Sequence, residues 1–208
     1  MASRGKPNPY KRPDAFTKAA KARGFPARSV FKLEEIDKRT RLLRQGMNVL
    51  DLGAAPGSWS MYASGKVGGH GRILAIDLYA IPGALGKNVR VVQGDALALD
   101  AEVIAGAAPY DVVLSDMAPN TTGNRDLDQA RSFELFLGAV ASAERHVVTG
   151  GSFVGKIFMS GDFPQAKEAV RKVFEEVRVI RPETVRSNSF EVFIVGLRRR
   201  APAPESGP

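Results

Sequence analysis

Two opposite charges stand in this sequence where charge is costly: Lys156 inside the apolar run SFVGKIF, and Glu191 inside SFEVFIVGL. An ammonium or carboxylate withdrawn from water is strongly destabilising unless a partner compensates it. One buried polar cluster holding both would let each offset the other. Taken singly, the lysine could instead reach water from a strand end, and the glutamate could guard a sheet edge against aggregation. A second set of charges is spaced along the chain. Asp77, Asp95 and Asp116 each end or follow an apolar run, in RILAID, VRVVQGD and YDVVLSD. An earlier run, MNVLDL, carries Asp51 and passes into Gly53, Ala54, Pro56 and Gly57. Small residues in such a loop let backbone approach a ligand closely, and a following helix offers unpaired N–H groups.

Asp77 stands 20 residues beyond Gly57, where a carboxylate can accept both hydroxyls of a ribose. Asp95 could receive an exocyclic adenine amine. Each carboxylate alone would pass as a turn former or helix cap. Three at successive strand ends lie along one crevice of an open parallel sheet, and together they favour an adenosine ligand. The glycine spacing differs from G-x-G-x-x-G, which serves a pyrophosphate, and this disfavours a nicotinamide dehydrogenase.

The elements that must position these residues alternate along the chain. Short helices are expected over 14–23 and 28–43, the second carrying Val30, Phe31, Leu33 and Ile36 at near-helical spacing. Strands follow at 47–52, 72–77, 89–94, 110–116, 152–158, 177–182 and 190–197, with helices near 58–65, 99–105, 127–148 and 164–177. Strand–helix alternation with apolar strands predicts an α/β fold, a mostly parallel sheet covered by helices on both faces. The last two strands are joined too tightly for a crossover and should pair antiparallel. That pattern of seven strands with a C-terminal antiparallel hairpin resembles the Rossmann-like methyltransferase plan. Residues 1–13 read as a flexible basic arm, 14–197 as one domain, and 198–208 as a disordered tail.

Bulk properties narrow the function. The chain has 208 residues, 44% of them hydrophobic, enough for a single well-packed domain. No apolar run is long enough to span a bilayer, and no apolar stretch follows the N-terminal charges as a secretory leader requires. Cysteine is absent and only His70 and His146 are present. A cysteine nucleophile is thus ruled out, no metal centre is expected, and a cytoplasmic setting is compatible. The net charge of +8 is unevenly placed: residues 1–45 hold 13 Lys/Arg against 4 Asp/Glu, the remainder 17 against 18. A concentrated basic patch attracts a polyanion by counterion release, although a solvated tail would carry the same charge.

DLGAAPGSW (51–59), QGD (93–95), SDMAPN (115–120) and the Lys and Glu of the late strands resemble the RrmJ/FtsJ (RlmE) family of RNA 2′-O-ribose methyltransferases. The match runs from about residue 14 to 197. It implies S-adenosylmethionine as cofactor, bound by the loop of Gly53, Ala54, Pro56, Gly57 and Trp59 and by Asp77, Asp95 and Asp116. It also implies a catalytic set of Lys32, Asp116, Lys156 and Glu191. Lys32 enters by resemblance only; its own surroundings suggest a solvated helix face. A lysine accepts a proton only when neutral, and burial and a second ammonium both favour that form, so Lys156 is read as the proton acceptor.

The loop Asp116-Met117-Ala118-Pro119-Asn120 differs from the Asn/Asp-Pro-Pro-aromatic motif of exocyclic amine methylation, and 5-methylcytosine chemistry needs a cysteine. Lys18, Lys21, Arg23, Arg28 and Arg186 are the expected RNA contacts. For family members of this compact size the resemblance implies a uridine in the A-loop of large-subunit ribosomal RNA as acceptor, in the assembled subunit, and a monomer is expected. A transfer RNA, another RNA acceptor, or a non-catalytic role in ribosome assembly are the alternatives. Ser58 replaces a commoner glycine, and Asn188 and Phe190 stand where basic residues are frequent, which bears on RNA contacts and not on the reaction.

Overall fold

A computed structural model describes residues 14–99, 101–186 and 189–202. The expected N-terminal arm, Asn188 and residues 203–208 lie outside the described residues. Seven strands form one sheet: β1 (Asn48–Leu52), β2 (Arg72–Asp77), β3 (Val89–Gln93), β4 (Tyr110–Ser115), β5 (Val147–Phe158), β6 (Phe174–Ile180) and β7 (Glu191–Arg199). Their order is β3-β2-β1-β4-β5-β7-β6. The first five strands are parallel, and β7 enters between β5 and β6, antiparallel to both. The expected hairpin is therefore present, and it is interleaved with the parallel sheet rather than appended to it.

Helices cover both faces, as apolar central strands require. On one face, α1 (Ala15–Ala22), α2 (Val30–Thr40) and α3 (Ser58–Val67) pack Val30, Leu33, Ile36, Trp59 and Ala63 against Val49, Val112, Val154 and Phe193. On the other, α4 (Ala101–Ala105), α5 (Arg125–His146) and α6 (Phe163–Val173) bury Phe136, Val140, Ala166 and Val170 against Leu50, Val113, Phe153 and Ile194. No helix among the described residues is long and apolar enough to cross a membrane.

Several boundaries differ from the expectations, each for a packing reason. The second helix stops at Thr40 because Arg41 turns left-handed at φ 54° and the Asp37 carboxylate accepts the Leu43 amide at 2.9 Å. This turn delivers Leu42 and Leu43 to the core. β5 begins at Val147, directly after α5, and a bulge near Gly150 separates the Tyr110–Val147 pair from the Val112–Ser152 register. α6 ends at Val173, not 177, because Phe174 is extended and fully buried, its ring lying where a Cβ on Gly196 would be 2.5 Å away. The expected tail starts too early as well. Arg198 and Arg199 belong to β7, with Arg198 bound to Glu175 at 3.0 Å and Glu176 at 2.9 Å.

Candidate active site

The carboxyl ends of β1, β2 and β4 open onto a cavity of about 610 Å³, and Gly53, Asp77, Asp95 and Asp116 all line it. Two loops close against each other at its floor. A Cβ on Gly53 would come within 2.7 Å of the Met117 side chain and 2.9 Å of its backbone, and Gly53 also has φ +76°. Only glycine satisfies both demands at this approach.

The carboxylates are fixed by main-chain amides. Asp77 accepts the Ala55 amide through Oδ2 and the Tyr79 amide through Oδ1, both at 2.8 Å. Asp95 accepts the Leu97 amide at 2.9 Å. A carboxylate oxygen has a second lone pair to offer, so each group is held without being exhausted. Of the expected loop residues, Gly53 lines the cavity, joined by Ala55, and Ala54, Pro56, Gly57 and Trp59 do not. Gly57 begins α3 at φ +103°, where a Cβ would meet Leu85 at 2.4 Å. Trp59 is buried in the core, its indole N–H donating to the Ser29 carbonyl at 2.9 Å and its ring 5.7 Å from that of Phe193. It fastens α3 to the start of α2.

Beneath the loop lies a residue that sequence reasoning left without a role. Asp51 is fully buried, and the Ser60 hydroxyl donates to its Oδ2 at 2.6 Å. Burial, with smaller contributions from the Asp116 and Asp77 carboxylates, pushes its carboxyl up to about 7, and the Ser60 hydroxyl opposes the rise. The signal was available: a carboxylate inside NVLDL is as anomalous as Lys156 inside SFVGKIF.

The four residues of the expected catalytic set come together as two ion pairs, with partners other than those charge alone suggested. Lys156, 7% exposed, places Nζ 2.9 Å from Asp116 Oδ1 and donates to the Asp116 carbonyl at 2.6 Å. Lys32 Nζ lies 2.5 Å from Glu191 Oε1 and 5.9 Å from the centre of the Phe193 ring. The antiparallel register sets Lys156 opposite Phe193 and Phe158 opposite Glu191. Paired residues share a sheet face, so Lys156 and Glu191 are diagonal neighbours on the face that α2 covers. Side chains with opposing charges, drawn from α2, the loop after β4, β5 and β7, thus meet at one sheet edge. Such a cluster can fix an amine beside a reacting hydroxyl.

The expected RNA contacts divide. Lys18 and Lys21 are exposed on α1. Arg23 pairs with Glu34 at 2.8 Å and covers the rings of Phe25 and Phe31. Arg28 bridges the Asp14 carboxylate and the Thr184 carbonyl, docking α1 onto the segment before β7. Arg186 approaches Asp14 at 3.9 Å.

The profile described as FtsJ-like methyltransferase matches residues 25–199. The chain belongs to the FtsJ-like methyltransferase family. Curated relatives in this family include a Ribosomal RNA large subunit methyltransferase E of Sorangium cellulosum, 66% identical over 93% of this chain and 92% of its own length. A Myxococcus xanthus protein of the same name is 44% identical over 95% of both chains. The fold recurs in a Plasmodium falciparum structure solved as a ribosomal RNA methyltransferase, at TM-score 0.74 and 23% identity, covering 86% of this chain and all of that one. It also recurs in Aeropyrum pernix fibrillarin with bound S-adenosyl-L-methionine, at TM-score 0.57 and 15% identity, covering 75% of this chain and 68% of that one. As an FtsJ-like methyltransferase, the chain carries the Rossmann-like sheet.

Proposed function

We propose that this chain transfers a methyl group from S-adenosylmethionine to a ribose 2′-hydroxyl, and that its acceptor is a uridine of the A-loop in large-subunit ribosomal RNA. The observation that carries this reading is the pairing of Lys156 with Asp116 and of Lys32 with Glu191 beside a cavity edged by Asp77 and Asp95. The names of the relatives supply the acceptor class.

The residues present fit the cofactor. A cavity of about 610 Å³ is within the usual range for a small-molecule site. Asp77 and Asp95 offer acceptors suited to ribose hydroxyls and an adenine amine, and the bare backbone at Gly53 permits close approach. When bound, the cofactor supplies an electrophilic methyl group, so the protein's task is to orient a hydroxyl and take its proton. Lys156 Nζ does both at the ribose O2′ as the neutral amine, whose lone pair takes the hydroxyl proton and turns the group into the ammonium that pairs with Asp116. Asp116 holds that nitrogen through its carboxylate and its carbonyl. Lys32 and Glu191 flank it from the same sheet face and position the ribose. Orientation and proton removal both contribute to the acceleration.

The reading takes residues 14–197 as one methyltransferase domain, acting as a cytoplasmic monomer with Lys18 and Lys21 toward RNA phosphates. It is tested by offering labelled S-adenosylmethionine with undermodified large ribosomal subunits, free ribosomal RNA and transfer RNA, then digesting to nucleosides. A 2′-O-methyluridine from large-subunit RNA is expected. Label on a base, or on no RNA despite cofactor binding, would overturn the proposal.

A further inference from the structure

Phe190 immediately precedes Glu191, and its side chain is 47% exposed. Successive strand residues point to opposite faces. Glu191 faces α2, so Phe190 faces the N-terminus of α5. There the guanidinium of Arg125 lies over its ring at 4.0 Å from the centroid. Both partners are anchored. Asn124 caps α5 by accepting the Leu127 amide at 3.2 Å, which fixes Arg125 in the first turn. The Phe190 carbonyl accepts the Met159 amide at 2.9 Å, and Gln129 donates to the Met159 carbonyl at 2.5 Å, tying α5 to the β5–β7 edge. Met159, 41% exposed, extends the apolar surface beside the ring.

We propose that Phe190 and Arg125 form a stacking platform for a nucleobase of the RNA acceptor, next to the ribose that is methylated; this rests on the ribose-methylation reading. The sheet order carries the argument. The cavity edged by Asp77, Asp95 and Asp116 spans the carboxyl ends of β1, β2 and β4, Lys156 borders it through Asp116, and Phe190 stands on β5–β7, the end left for the acceptor. Unpaired RNA bases stack on aromatic rings and on guanidinium planes, and a guanidinium also has N–H donors for a phosphate. A protein partner is disfavoured, because one ring, one guanidinium and one methionine fall far short of a stable protein interface. Every base has a flat face, so the platform holds position and leaves sequence choice to other contacts.

The test compares F190A, F190L, F190W and R125A in two measurements. In methyl transfer, F190A and F190L should raise the KM for RNA by about tenfold or more, as loss of one stacked base implies, and F190W should recover most of that loss. Binding of S-adenosylmethionine and the thermal midpoint should not change in F190A, because the ring is half exposed. R125A should weaken RNA by less and flatten the salt dependence. In direct binding, F190W should lose fluorescence on addition of single-stranded oligoribonucleotides, against the constant signal of buried Trp59. This second measurement needs no turnover, so it judges the platform even if ribose methylation itself fails to appear. An F190L variant equal to wild type, an F190W variant no better than F190A, or unquenched F190W emission at saturating RNA would each overturn the proposal.

Discussion

The two ends of the sheet's carboxyl edge are held by different physics. At the β1–β2–β3 end, carboxylates are anchored by backbone amides: Asp77 by Ala55 and Tyr79, Asp95 by Leu97. At the β4–β5–β7 end, side chains anchor one another, Lys156 with Asp116 and Lys32 with Glu191. An amide-anchored carboxylate keeps its place when a neighbour is changed. A side-chain ion pair with little exposure does not, because removing one partner strands the other charge. On the proposed reading, the first end holds a ligand in a fixed frame and the second places charge against a reacting atom. Substitutions should therefore act on binding at one end and on turnover at the other.

The largest effect should come from K156A, which removes the amine and leaves Asp116 unpaired. Turnover should fall about a thousandfold, with affinity for S-adenosylmethionine within a few-fold of wild type. Single-turnover methyl transfer beside equilibrium dialysis would check it, and equal loss in both would erase the contrast between the ends.

The next effect belongs to Asp51, beneath the boundary. Its folded-state value near 7 lies above the ordinary aspartate value, so the native protein binds the extra proton and ionisation costs stability as pH rises from about 4 to 7. D51N mimics the neutral acid and keeps an acceptor for Ser60. It should be more stable than wild type at pH 8, on the order of 2–4 kcal/mol, with the advantage shrinking to nothing near pH 4. Urea denaturation at several pH values measures this, and a pH-independent difference would contradict it.

D77A should weaken S-adenosylmethionine binding by about tenfold while turnover at saturating cofactor stays within a few-fold of wild type. Titration calorimetry against saturating-rate assays would separate the two quantities. The smallest effect should be that of K18A with K21A, an RNA affinity lowered several-fold at low salt with a shallower salt slope and no change in cofactor binding. Filter binding across salt concentrations reads both.

Much of this division was legible in the sequence, and the reason is local. Apolar runs of strand length gave all seven strands, and Lys156 and Glu191 stood out because charge inside such runs demands compensation. The pairing was not legible. Sequence reasoning joined Lys156 to Glu191, whereas the register sets them diagonally and recruits Asp116 from a loop and Lys32 from a helix. Nothing local distinguishes Lys32 from a solvated helix lysine, and only family resemblance singled it out. Trp59, which the resemblance offered as a cofactor contact, has a packing role that its sequence position did not show: its indole donates to the Ser29 carbonyl and its ring lies beside Phe193. Boundaries failed where tertiary packing overrode local pattern, as at Phe174, whose burial ends α6 early.

The position of β7 between β5 and β6 has a consequence for how the protein comes into being. Synthesis delivers β5 and then β6, yet the gap between them is filled only by the seventh strand. That same strand opens with Glu191, the partner of Lys32. A growing chain can assemble the glycine loop and its carboxylates early, but it cannot complete the charge cluster until β7 is inserted. On the proposed reading, the end that holds the cofactor and the end that holds the two ion pairs are thus completed at different points along the chain.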